Sequence, residues 1–173
     1  MELHFVAPDL QKLDEPMAGE VVACCIYEDE QPMRGLAGLV DWRLAGKLSA
    51  LEREEFLLGK YREVLCVPGR PRLPFDKLLI FGLGKKSELT EDAFRNVVRH
   101  IARVLDGLKV RRAVVELPGR GDGRISAERA AQLLFECSRE ASAQDAWWLV
   151  EDGEAEKKIT LATREAARRA KRG

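Results

Sequence analysis

The 173-residue chain has no apolar run approaching the roughly 20 residues that span a bilayer. Its opening, MELHFVAPDL, has no basic stretch followed by an apolar one. A secretory signal is therefore not expected, and the cytoplasm is the expected compartment. Histidine is scarce, with only His4 and His100, and no Ser-His-Asp order can be assembled around either. The four cysteines, Cys24, Cys25, Cys66 and Cys137, form no CxxC and no zinc-type spacing with histidine. They read as small buried apolar residues in a reducing compartment. No metal, cofactor or catalytic residue is expected from these patterns. There is also no net charge, since 29 basic residues balance 29 acidic ones.

What is present is a soluble, globular balance of 46% hydrophobic and 34% charged residues. The length fits a single domain over residues 1–173. Charge is polarised along it. Residues 1–30 carry eight acids and one lysine, and residues 154–173 carry seven bases and three acids. That polarity permits head-to-tail self-association or contact with an acidic partner surface. Nucleic acid is poorly supported, because Arg164, Arg168, Arg169, Lys171 and Arg172 sit on one short tail with no aromatic platform.

Strand-like and helix-like segments alternate. Strands are expected at 2–6, 20–27, 63–67, 77–82, 111–117 and 145–150. EVVACCIY (20–27) is apolar at consecutive positions, as a strand covered on both faces is. Adjacent Cys24 and Cys25 would face opposite sides of it, as would Trp147 and Trp148. One helix face is read through Leu36, Leu39, Val40, Leu44, Leu48 and Leu51, weakened by Gly38 and Gly46. Thr90 is placed to cap a long helix with Glu91 and Asp92 in its first turn, and Gly107 to end it. Ser126 opens a further helix. A last one runs from about Glu154, packing by Ile159, Ala162, Ala166 and Ala170. Strands separated by helices of this length imply a three-layer α/β/α domain with a mixed, mostly parallel sheet.

Two glycine-rich loops are the candidate ligand sites. In LLIFGLGKKSE (78–88) a strand runs into Gly82, Gly84 and Lys85. A Walker A loop needs glycine where Leu79 stands, and a dinucleotide fingerprint needs it at Ser87, so both named motifs fail. A structural turn is the favoured reading. PGRGDGR (118–124) follows another strand. There Gly119, Gly121 and Gly123 would leave amides accessible beside Asp122, while Arg120 and Arg124 could fork onto a phosphate or carboxylate.

PMRGLAGLVDWRLAGKLS, followed by FDKLLIFGLGKKSELTEDAFRNVVRHIARVL and the strand RRAVVEL, resembles the N-terminal domain of the leucyl aminopeptidase family. The likeness covers roughly residues 20–145. It implies a macro-domain-like α/β/α fold. In that family catalysis belongs to a separate C-terminal domain, which binds two metal ions around an Asn-Thr-Asp-Ala-Glu-Gly-Arg motif absent from this sequence. The resemblance therefore implies a domain standing alone without that catalytic part. It implies no aminopeptidase activity and a regulatory, assembly or interaction role. The alternative is a macro-type module that binds a nucleotide or an ADP-ribose-like anion over the two glycine loops.

Overall fold

The computed structural model describes residues 1–15, 20–137 and 143–170, with Ala170 described by its backbone alone. Its centre is one six-stranded sheet. The strands are β1 (Glu2–Val6), β2 (Val21–Ile26), β3 (Val64–Pro68), β4 (Lys77–Gly82), β5 (Arg112–Val115) and β6 (Ala146–Val150). They lie in the order β1-β6-β5-β2-β4-β3. All neighbours are parallel except the edge strand β3, which runs antiparallel to β4. All six expected strands are present, within one or two residues of their expected ends.

Every residue of β2 is buried because it lies near the sheet's middle with helices on both faces. One face carries Cys25, Phe81, Val115 and Trp147 against α4 (Glu91–Gly107) and α5 (Ala127–Cys137). The other carries Cys24, Ile80, Val114 and Val150 against α1 (Leu10–Asp14), α2 (Gly35–Arg43) and α3 (Lys47–Arg53). Cys24 and Cys25 thus part to opposite faces, as alternation requires. Trp147 is core, and Trp148 on the other face stacks on His4 with ring centroids 4.7 Å apart. α6 (Gly153–Ala170) lies on α5, with Ile159 and Ala155 against Ala127 and Ala131.

Two readings need correction. The helix expected across Leu36–Leu51 is two, broken where Ala45 and Gly46 take positive φ of 56° and 78°. Asp41, in the last turn of α2, then accepts the Leu48 and Ser49 amides at the start of α3. Gly107 does end α4 as its last helical residue, with the left-handed turn two residues on at Lys109, φ 60°. Cys66 is exposed on the edge strand, whereas the other three cysteines are buried.

Thr90 does cap α4, accepting from the Ala93 amide at 3.2 Å, and Ser126 accepts from Arg129 at 3.2 Å. In α6, Ile159 is buried, Ala162 and Ala166 are half-buried, and Arg164, Arg168 and Arg169 face solvent. Lys171, Arg172 and the Ala170 side chain, also named in the expectations, lie outside the described residues.

Candidate functional site

Parallel strands β2, β4, β5 and β6 all point their carboxyl ends at one edge of the sheet. In open α/β sheets this edge gathers ligands. Both glycine loops lie along it, and they differ in what their backbone is doing.

The Gly82–Lys85 loop has its amides engaged. Gly82, Leu83 and Gly84 donate to the carbonyls of Glu63, Ile26 and Gly59, each at 2.9 Å. A Cβ at Gly82 would overlap the Lys60 carbonyl oxygen, so glycine here permits two backbones to pass closely. Lys85 is exposed. Lys86 reaches Glu30 at 2.5 Å and sits over the Tyr27 ring, 5.5 Å from its centroid. These three amides therefore hold the turn to its neighbours.

The Gly119–Arg124 loop is pinned rather than open. Arg120 turns its fork onto Glu151 at the end of β6, with bonds of 2.8 and 2.7 Å, and adds a third bond to the Ile125 carbonyl. The guanidinium expected to meet a ligand thus meets a carboxylate of the chain itself. Gly119 is packed against Leu89 and Ile125 with φ of 70°. Gly123 stands at the solvent side, and Arg124 lies 3.6 Å from Asp122. Asp122 also accepts the Arg124 amide, which closes the turn locally.

Between the two loops sits a residue that sequence reasoning passed over. β5 ends at Val115, while β2 continues three residues beyond Ala23, the last of its residues paired with β5. Glu116 follows β5 and folds its side chain over the gap. Its carboxylate accepts the Cys25 amide at 3.5 Å and the Leu36 amide, in the first turn of α2, at 2.8 Å. The group is buried, only 5% exposed. The partial positive charge of a helix N-terminus favours it, yet burial, the largest influence, pushes its pKa up to about 7. The two amide bonds oppose that rise, and the charges of Glu151 and Asp122 add to it.

Gly35 (φ 62°) and Gly121 close around the carboxylate. A Cβ at Gly35 would overlap Glu116 Oε1, and one at Gly121 would stand 2.7 Å from it. What remains is a cavity of about 20 Å³, lined by Tyr27, Leu83, Gly119, Gly121 and Asp122 beside Cys25 and Glu116. That is room for about one water molecule. The Tyr27 hydroxyl in this lining is buried beside Asp122, and among the described residues none meets it in full hydrogen-bond geometry. Burial, then the charge of Asp122, holds its pKa well above the ordinary phenol value. Among the described residues, no cluster of three or more His, Cys, Asp or Glu side chains is arranged to hold a metal ion.

This three-layer sheet, with its crevice at the strand ends, is a macrodomain-like α/β fold. It superposes on an Oceanobacillus iheyensis macrodomain solved with ADP with a TM-score of 0.72 at 12% identity, covering 96% of this chain and 92% of that one. A mutant of tomato leucine aminopeptidase matches with a TM-score of 0.62 at 17% identity, covering 94% of this chain and 35% of that one. The chain belongs to the cytosol aminopeptidase family, whose N-terminal domain it matches over residues 21–145. A probable cytosol aminopeptidase of Alkaliphilus oremlandii is 29% identical over 126 residues, 72% of this chain and 25% of that protein. The chain thus spans about a quarter of the length of that curated relative.

Proposed function

We propose that this domain is a non-catalytic interaction module of the cytosol aminopeptidase type, regulatory or assembling in role and acting in the cytoplasm. The observation that carries the reading is the crevice. Where a ligand would sit at the strand ends, Glu116 already holds the α2 amide, and space for about one water remains. The surface supplies anchors for a protein partner. Trp42 on α2 is 76% exposed and Phe56, beyond α3, is 69% exposed, with Leu58, Tyr61 and Val64 exposed beside the edge strand β3. A second copy of the chain is one candidate partner. The acidic first thirty residues offer it less than their charge implies. Asp14 is forked by Arg43, Glu15 is met by Lys12, and Glu30 by Lys86.

A nucleotide- or ADP-ribose-binding role is the second reading. It is favoured by the likeness in fold to a macrodomain solved with ADP and by the buried Tyr27 hydroxyl in the crevice. Titration calorimetry of the protein with ADP and ADP-ribose separates the two. The first reading predicts no heat of binding up to millimolar ligand. Binding tighter than about 100 µM, a free energy near −5.5 kcal/mol, would overturn it in favour of the second. The non-catalytic assignment has its own check. Leucine release from a leucyl chromogenic substrate with manganese or zinc should stay far below ~1 s⁻¹, the low end of ordinary turnover.

A further inference from the structure

We propose that the crevice is a seat for a small phosphate-like anion and that Glu116 occupies it as an internal plug. The proposal rests on the second, ligand-binding reading of the crevice and adds the device that keeps it closed.

Four observations carry it. Glu116 takes the position an external anion would take, accepting the Leu36 amide in the first turn of the nine-residue helix α2. The Tyr27 hydroxyl, on a residue only 5% exposed, lines the same cavity beside Asp122, and among the described residues none meets it in full hydrogen-bond geometry. A buried hydroxyl short of a well-formed bond is costly, and here a ligand oxygen would supply one. Gly35 and Gly121 bring backbone against the carboxylate with no side chain between. At the mouth, Arg34 extends into solvent, its nearest carboxylate Glu30 at 3.8 Å.

The charges around Glu116 explain why it alone can act as the plug. Every other acid facing it has a cation. Glu30 has Lys86 at 2.5 Å, Asp122 has Arg124 at 3.6 Å, and Glu151 has Arg120 at 2.7 Å. Cys25 and Tyr27, on and just beyond β2, are pushed by burial toward their neutral forms. Glu116 has no basic partner among the described residues, only the two amides. With Glu116 removed, the crevice is left with a helix N-terminus, a hydroxyl donor and an arginine at its mouth, beside the cation-paired carboxylates of Glu30 and Asp122. That set suits a phosphate or diphosphate group. With Glu116 ionised, an incoming anion meets both its bulk and its charge.

The test is a titration of pyrophosphate into wild type and Glu116→Ala at pH 8, followed by ¹⁵N–¹H spectra. The plug predicts that Glu116→Ala binds at least tenfold more tightly than wild type, with the largest shifts at the Leu36, Gly35 and Gly121 amides. A natively folded Glu116→Ala that binds no pyrophosphate, or binds without moving Leu36, overturns the proposal. If that variant does not fold, Glu116→Gln at pH 8 and wild type at pH 6 serve instead. Each should bind at least threefold more tightly than wild type at pH 8, and equal affinity in all three overturns it. ADP-ribose added to the folded variant separates the two ideas. Pyrophosphate binding without ADP-ribose binding keeps the plug and removes the nucleotide reading. ADP-ribose binding to wild type as tight as to Glu116→Ala keeps that reading and removes the plug.

Discussion

Two carboxylates in this domain are buried at the N-termini of helices, and they serve opposite ends. Asp41 caps α3 from seven residues away. It accepts the Leu48 amide at 2.7 Å, the Ser49 amide at 3.2 Å and the Ser49 hydroxyl at 2.5 Å. Its three bonds are local and engage both oxygens. Glu116 reaches α2 from 80 residues away, and its second bond, to Cys25, is stretched to 3.5 Å. The first is an ordinary cap that lets one helix follow another around a tight corner. The second is a charge drawn into the ligand edge of the sheet with fewer bonds than it can accept. A buried acid met by three local bonds belongs to the scaffold. One held by two bonds from distant elements, in the crevice at the strand ends, is where the anion seat is proposed.

The largest expected effect concerns the pair that pins the Gly119–Arg124 loop. Arg120→Ala leaves Glu151, only 4% exposed at its side chain, buried without its cation. Chemical denaturation should show a loss of about 4 kcal/mol. A loss under about 1 kcal/mol would mean the Arg120–Glu151 pair does not brace the loop.

Next comes Glu116→Gln. Burial raises the folded-state pKa of Glu116 from its ordinary 4.5 to about 7. The folded state therefore holds the proton more tightly than the unfolded one. This group's contribution is most favourable below pH 4.5, falls as pH rises toward 7, and stays at its low level above that. Glutamine, which cannot ionise, should stabilise the protein at pH 8 by up to roughly 3 kcal/mol. The gain should shrink steadily as the pH is lowered toward 4.5. A gain that is the same at both ends of that range would show that charge is not what distinguishes Glu116.

Asp41→Ala should lose about 2 kcal/mol, because the Leu48 amide is left buried with no acceptor. A stabilising result would place Asp41 with Glu116 and dissolve the contrast. Thr90→Ala, at an exposed cap with one 3.2 Å bond, sets the scale and should cost about 1 kcal/mol by the same measurement.

The sheet was legible because burial on both faces leaves long apolar runs, as in Val21–Ile26 and Leu78–Phe81. Thr90 and Ser126 were legible because a cap is a local signal. The α2–α3 break was not, because the first residue to turn left-handed is Ala45, which carries no glycine signature. α1 was missed because five residues are too short to display a helical period, although Asp9, which accepts the Gln11 amide at 2.7 Å, was the available sign of its start. The edge that bears the crevice was half visible. The glycines marked the loops, but Arg120 gave no hint that its fork would close on Glu151, 31 residues later. Glu116 was one acid among 29. Its only sequence signal was position: a glutamate ending the apolar run AVV, just before Leu117-Pro118-Gly119, where a parallel strand runs out into the ligand edge.

The most direct test of Glu116 as the occupant of the crevice is the pH dependence of the Leu36 backbone amide in ¹⁵N–¹H spectra between pH 5 and 9. Its hydrogen goes to the Glu116 carboxylate at 2.8 Å, so it reports the charge on that group. The account predicts a titration with a midpoint near 7 in wild type, following the raised pKa, and a flat response in Glu116→Gln. A Leu36 amide that does not move across this range in wild type, or moves equally in the variant, would contradict it.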